Sequence, residues 1–443
     1  MTSPLSGAPS PDPRARTAPE VGAALRDARA RSLALVADLT DAQWMGPRLA
    51  IVNPILWELG HLGWFQEYWT QRHARGAVPL LPQGDALYDS ARVAHDTRWD
   101  LPLLPRTEVL GYLGTVLERA LETAPGYFHE LSLNHEDMHG EALLYTRQTL
   151  GYLAPRLASE PQPLPLPGGS ASGGGLPGDV EVPGARFLLG ATPGDGFVFD
   201  NEKWAHPVDV ATFRIARAPV TNEQFLEFVE AGGYRTEAFW SGDGWRWRAS
   251  QDAGHPGYRS PAGHPGYWTR RDGGRWTERR FREEVPLSPH HPVSHVCWHE
   301  AEAFCRWAGR RLPTEAEWEL AAATRDKRRF PWGEAPPDAR RANLDAAAGW
   351  TVDVGAHPEG DSAHGCRQLI GNVWEWTASD FQPYPGFVVD PYKEYSAPWF
   401  SSPHKVLRGG CWATRARLLR NTWRNFYPPD RRDVLAGFRT CAA

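Results

Sequence analysis

The sequence predicts a two-domain α+β chain, with a helical bundle ahead of a larger module of short strands and irregular loops. Three observations carry that expectation. The 443 residues are too many for one hydrophobic core, since single cores stop growing beyond roughly 250–300 residues. A stretch rich in Pro, Gly and Ser (PQPLPLPGGSASGGGLPGDVEVPGA, residues 161–185) has no periodic apolar positions and is the expected linker. Ahead of it apolar residues recur at helical spacing, and beyond it they do not. The expected divisions are a disordered Pro-rich N-terminus over residues 1–18, a helical domain over 19–160, the linker, and a second domain over 186–443.

Taken in order, residues 19–43 place Val21, Leu25, Ala28, Leu33, Leu35, Val36 and Leu39 near a helical period. Helices are then expected over 53–73, with Pro54 at a tolerated first-turn position, over 107–123 and over 127–152. Four helices with one long connection, residues 74–106, fit an antiparallel bundle. In the second half, helices are expected at Asn222–Ala231, around His299–Gly309 and from Thr314, where Thr314 and Glu317 form a capping box. The string GHPGY occurs at 254–258 and again at 263–267, which predicts a paired loop and not a solenoid.

Composition removes several function classes. Hydrophobic residues make up 41% and charged residues 23%, as in ordinary globular proteins. The 48 basic residues against 53 acidic ones leave −5, so there is no basic field for nucleic acid. No apolar run reaches the roughly 18 residues of a membrane span, and the N-terminus lacks the apolar segment of a secretory signal. A cytoplasmic location is expected, with no membrane or obligate protein partner. The five cysteines (Cys297, Cys305, Cys366, Cys411, Cys441) are odd in number and lack a CxxC, so reduced thiols are expected. Trp is abundant, 21 against 3 Met; indoles fill cores and also line pockets for cationic or planar ligands.

The sharpest local signal is His135-Glu136-Asp137-Met138-His139 on the fourth helix. Positions i and i+4 share a helix face, so His135 and His139 can reach one metal ion. The string also satisfies HExxH, in which Glu136 would be a general base beside zinc. A third ligand decides the matter. His61, within LWELGHLGWFQEYW on the second helix, is the best candidate, with His73, His95 and His129 as competitors. Three neutral imidazoles from two facing helices would cap a metal and leave open positions on it. Glu136 is expected to point away from that face.

The second half carries HPVSHVCWHEAEAFCRWAGRRLPTEAEWELAA, then FPWGE, IGNVWEWTASDF, VLRGGCW and AGFRT, in that order. These segments resemble the formylglycine-generating-enzyme (sulfatase-modifying-factor) fold, which implies a C-type-lectin-like mixture of short strands and loops. Most of these residues, Trp374, Trp376 and Arg408 among them, are expected to be scaffold. A DinB-like four-helix bundle with one His on its second helix and HxxxH on its fourth, joined to that fold, resembles the iron-dependent sulfoxide synthases of ergothioneine and ovothiol biosynthesis. The resemblance implies that His61, His135 and His139 bind Fe(II), with O2 as co-substrate and no organic cofactor. It also implies hercynine, the trimethylated betaine of histidine, as acceptor. From PYPGFVVDPYKEYSAPWF, where Tyr384, Tyr392 and Tyr395 are available, it assigns Tyr392 as proton or hydrogen-atom donor and Tyr395 as a substrate contact.

The segment WRNFYPPDRRDVLAGFR adds Asn425 as an acceptor contact and Phe426 as the aromatic residue beside it. Two positions depart from the γ-glutamylcysteine-using enzymes. Tyr427 stands where they carry an acid for the donor's amino group, and Met138 stands where Gln is common; a thioether donates no hydrogen bond. The connection DALYDSARVAHDTRWDLPLLP resembles the selenoneine synthase branch, whose donor is a selenosugar. On that resemblance Asp89, Arg92, Asp96, Arg98 and Trp99 would bind sugar hydroxyls, although the same loop could simply seal the two domains. The expected reaction is oxidative C–Se bond formation. A thiol-using sulfoxide synthase and a non-catalytic binding protein remain as alternatives.

Overall fold

A computed structural model describes residues 14–157, 173–251 and 263–443. The first helix, α1 (Ala18–Ala34), starts at Thr17, whose backbone N–H donates to Glu20 Oε2 at 2.7 Å. It ends well short of residue 43. Thr40 opens a second capping box with Gln43 and starts a separate short helix, α2 (Asp41–Met45); a side chain that satisfies the backbone locally offers it an alternative to continuing one helix. The next helix, α3 (Ile55–Glu67), runs on through a π-helical turn at Tyr68–His73. The long connection carries α4 (Gly84–Tyr88) before α5 (Arg106–Leu121) and α6 (Tyr127–Leu150), which closes on Gly151 in the left-handed region, φ 64°.

Helix α3 is buried on nearly every side, between α5, α6 and the connection. Gly60 permits one of those contacts: a Cβ there would lie 2.1 Å from the Tyr88 ring. The absence of a side chain lets Tyr88 lie flat against α3, next to the residue that matters most on that helix, His61.

The second domain begins earlier than the linker composition suggests. Asp179–Val182 form strand β1, paired antiparallel with β4 (Phe213–Ala216). Four residues of DVEV alternate well enough to pair, and the surrounding Gly and Pro conceal them in the sequence. Between them β2 (Ala185–Leu189) pairs with β3 (His206–Val210). Helix α7 (Asn222–Glu230) is followed by α8 (Gly242–Gln251), which the sequence did not predict. Strands β5 (Trp268–Arg270), β6 (Trp276–Arg280) and β7 (Glu283–Pro286) form a meander, so the second GHPGY copy leads into a strand; the first copy lies outside the described residues. Helix α9 (Trp298–Trp307), β8 (Arg310–Arg311) and α10 (Glu315–Ala323) follow, the last with its expected Thr314 cap. Strands β9 (Trp374–Asp380), β10 (Lys405–Arg408), β11 (Asn425–Tyr427), β12 (Ala436–Gly437) and β13 (Cys441–Ala442) complete two four-stranded sheets, β1-β4-β13-β8 and β11-β10-β9-β12.

With so little regular structure, buried ion pairs fix the loops. Arg408 reaches Glu315 at 2.8 Å and Glu319 at 2.5 Å, and Arg439 reaches Glu375 at 2.6 Å. Trp376 Nε1 donates to Val296 O at 2.9 Å. All five cysteines are buried and none is in a disulfide. No helix among the described residues is long and apolar enough to cross a membrane.

The two domains share one core, and α6 is the seam. Trp374 Nε1 donates to Glu141 Oε1 at 2.7 Å, and Gln148 Nε2 donates to the Arg279 carbonyl at 2.8 Å. Arg417 clamps Asp137 at 2.5 and 2.8 Å, and Arg16 pairs with Glu130. The face of α6 away from α3 is thereby docked on strands and loops of the second domain.

Candidate metal centre

Helices α3 and α6 cross so that His61, His135 and His139 converge. His135 Nε2 lies 3.3 Å from His61 Nε2 and 3.2 Å from His139 Nε2. The other ring nitrogens show which tautomers are present. His61 Nδ1 is 2.7 Å from the Tyr88 carbonyl oxygen, and His139 Nδ1 is 2.6 Å from Glu58 Oε2. A carbonyl and a carboxylate only accept, so both Nδ1 atoms carry the proton and both Nε2 atoms present a lone pair. Lone pairs aimed at one point repel unless a cation lies between them, and this donor set suits a divalent transition metal.

Burial, followed by the neighbouring His139, pushes the His61 imidazole down to about 3, and burial moves His135 in the same direction. Burial alone would raise Glu58, but His139, whose Nδ1–H it accepts, outweighs burial and holds the carboxyl at about 2. These two imidazoles are therefore neutral and ready to coordinate at physiological pH, beside a carboxylate that is ionised. Stacked rings fix the orientation: Phe65 lies on His135 with centroids 3.5 Å apart, and Trp57 lies on His61 at 4.9 Å.

The competing histidines do not join the cluster. His129 bonds Thr123 Oγ1 at 2.9 Å, His95 Nε2 meets the Val52 carbonyl at 2.7 Å, and His73 packs on Trp69 and Phe128. The zincin arrangement is absent as well. Glu136 turns away from the imidazoles and is held by Arg29, Nε to Oε1 at 2.8 Å and Nη2 to Oε2 at 3.1 Å, with both side chains buried. This makes Glu136 structural. Glu136→Gln is expected to leave metal binding intact and to lower stability by about 3–5 kcal/mol, because a buried guanidinium loses its counter-charge. Calorimetry beside metal analysis checks it; loss of bound metal with an unchanged unfolding temperature would restore a role at the centre.

Tyr392 comes from the second domain to the side of the cluster where Phe65 packs, its ring 4.9 Å from Phe65 and 6.2 Å from His135. Burial raises its phenol well above the usual range, so it stays protonated. Tyr395 stacks on Phe199 at 4.2 Å and donates to Met138 Sδ at 3.6 Å. Phe426 stacks on Phe381 at 3.9 Å and lies 6.0 Å from Tyr395. Asn425 and Tyr427 share one face of β11, two residues apart, and Arg431 lies over the Tyr427 ring at 5.2 Å. Tyr384 is elsewhere, its hydroxyl donating to Glu315 at 3.2 Å inside the second domain. A cavity of about 610 Å³ beside Glu223, His290 and Arg310 is lined by none of these residues.

The connection behaves differently from the expected sugar site. Arg98 is buried, donates to Asn53 Oδ1 at 2.6 Å, and lies over Trp57 at 3.7 Å. Trp99 Nε1 donates to the Met45 carbonyl at 3.2 Å, and Asp96 is on the outer surface. These side chains seal α2 and α3 and do not face the Tyr392 side of the cluster. Within this loop Asp89, paired with Arg92 at 3.0 Å, is the group whose charge reaches Tyr392. Sequence reasoning missed Glu58 and Asn53. The available signal was an acid three residues before His61, hence on the same face of α3.

Comparison with known proteins agrees with this architecture. Residues 168–443 match the family model of the sulfatase-modifying factor enzyme 1-like domain, and residues 24–141 match the DinB superfamily. A hercynine oxygenase of Mycolicibacterium smegmatis is 40% identical over 430 residues, covering 93% of this chain and 96% of the relative. One from Mycobacterium tuberculosis is 39% identical over 438 residues, covering 96% and 99%. A formylglycine-generating enzyme of Streptomyces coelicolor is 33% identical over 305 residues, covering 65% of this chain and 94% of its own. With both domains matched and relatives aligned over nearly their full length, the chain belongs to the hercynine oxygenase family and is an oxidoreductase-type enzyme.

Proposed function

We propose that the chain joins the imidazole C2 of hercynine to a chalcogen donor in an Fe(II)- and O2-dependent reaction, and that the donor is a selenosugar. The observation that carries the reaction type is the convergence of three histidine Nε2 atoms, with Tyr392 packed beside His135. When bound, iron supplies oxygen activation and an open face for the donor's selenium or sulfur. The bookkeeping is one C–H and one Se–H bond lost and one C–Se bond formed. One oxygen atom ends on the chalcogen and the other leaves as water.

The chain's own residues do the rest. Tyr392 holds a proton on the side where Phe65 packs. Phe65, Trp69 and Phe128 keep water from that side with a wall of packed aromatic rings. Asn425, Phe426 and Tyr395 form the acceptor contacts, with aromatic faces suited to a quaternary ammonium. Met138, where Gln is common, donates no hydrogen bond to the acceptor imidazole.

The donor reading is supported by the charge of the adjoining surface. Burial raises the Tyr427 phenol well above its usual range, so it is neutral, and Arg431 is matched by Asp433 at 2.6 Å. At position 427 itself an amino-acid donor would find a neutral phenol in place of an acid for its ammonium group, whereas a sugar hydroxyl could pair with that phenol. The names of the relatives at 39–40% identity speak for hercynine and leave the thiol donor as the alternative. Direct competition of a 1-selenosugar against γ-glutamylcysteine separates the two; a wild-type preference for the thiol would end the selenosugar assignment. Tyr427→Asp is expected to raise the use of γ-glutamylcysteine about tenfold to a hundredfold, the worth of one charge-assisted hydrogen bond of about 1.5–3 kcal/mol. Initial rates with both donors, wild type against variant, measure it.

A further inference from the structure

We propose that Arg98 is a positioning residue of the metal centre, tying two of its ligands together through one continuous outer ring. This rests on the triad being a metal site and not on the identity of the donor. The ring can be followed atom by atom. His139 Nδ1 donates to Glu58 Oε2 at 2.6 Å, and Asn53 Nδ2 donates to Glu58 Oε1 at 2.5 Å. Asn53 Oδ1 accepts from Arg98 Nη1 at 2.6 Å. The Arg98 guanidinium lies 3.7 Å from the Trp57 ring centroid, and the Trp57 ring stacks on His61 with an interplanar angle of 9°. The indole is itself anchored, Nε1 donating to the Leu87 carbonyl at 2.7 Å, one residue before the carbonyl that receives His61 Nδ1–H.

The direction of each bond is forced. A guanidinium only donates, so the Asn53 amide must turn its oxygen toward Arg98 and its NH2 toward Glu58. That occupies Glu58 Oε1 and leaves Oε2 for His139, which fixes the tautomer that presents Nε2 to the metal. On the opposite arm, the same guanidinium rests on the indole that orients the His61 ring. Arg98 therefore acts at a distance on both α3- and α6-borne ligands. It reaches neither the ligands' Nε2 atoms nor the side where Tyr392 stands. A lysine would keep the charge but lose the planar group that both donates to Asn53 and stacks on Trp57.

Titration with Co(II) in the full-length protein tests the ring without any substrate or oxygen. Arg98→Met is expected to lower Co(II) affinity about 10- to 100-fold and to alter the visible ligand-field spectrum, and Arg98→Lys should not restore either. Asn53→Leu should do the same. Because both residues serve one ring, the double variant should be no weaker than the weaker single variant by more than about twofold. Wild-type affinity and spectrum in Arg98→Met or in Asn53→Leu would overturn the proposal, as would a change confined to the KM of the donor. If Arg98→Met fails to fold, Asn53→Leu carries the test alone. His61→Ala serves as the reference: if it too binds Co(II) as wild type does, the metal-site reading has failed; if it loses Co(II) while the Arg98 and Asn53 variants do not, only this inference has.

Discussion

His61→Ala, His135→Ala and His139→Ala are each expected to lose most of the bound iron and to reduce turnover below detection. Two imidazoles hold Fe(II) weakly, and among the described residues no fourth protein ligand joins the three that converge within 4.8 Å. The effect should exceed that of any other single change, since it removes the group on which the proposed reaction depends. His135→Ala also removes the ring stacked on Phe65 at 3.5 Å. Some stability is then lost with the metal, and a His135→Gln variant of similar volume separates the two effects. Iron content by elemental analysis, oxygen consumption with hercynine and a donor, and unfolding temperature should be read on the same preparations. Full iron with full activity in His61→Ala would move the third ligand elsewhere.

What the sequence disclosed about this centre follows from the range of each signal. His135 and His139 are four residues apart on one helix, and a local period is enough to pair them. His61 is 74 residues away, and it became a candidate only because a second helix of the same bundle carried a histidine in an apolar run. Glu58 is an acid inside a helix whose neighbours are all buried; nothing local says that its partner is His139. Arg98 is harder still, because its contacts lie 45 residues back at Asn53 and across an aromatic ring. In the second domain the same limit applies. The helix from Thr314 was legible from a four-residue capping pattern, and the one at Asn222 was legible without its Thr221 cap being noticed. Strand β1 was hidden by the glycines and prolines around it, and the ending of α1 before α2 turned on a capping box that competes with helical continuity.

Tyr392→Phe is expected to lower kcat about a hundredfold or more, the usual worth of a positioned proton donor, while leaving iron content and stability unchanged. The second part of that expectation is what makes the variant informative. Among the described residues the Tyr392 hydroxyl makes no hydrogen bond, so its removal leaves no partner unsatisfied, and the ring contacts with Phe65 and Trp69 are kept by phenylalanine. A phenol that is held protonated, beside the imidazoles and without a structural bond is available to give a proton or hydrogen atom to something bound there. Tyr395 offers the contrast. Its hydroxyl is directed to Met138 Sδ at 3.6 Å, and its ring is stacked on Phe199. Tyr395→Phe should therefore shift the KM for hercynine more than kcat. Steady-state kinetics on both variants, with oxygen uptake and product formed measured in the same assay, would show whether oxygen is still consumed without C–Se or C–S bond formation. Equal kcat in wild type and Tyr392→Phe would remove the proton-donor role and leave Tyr392 as one more ring in the aromatic wall.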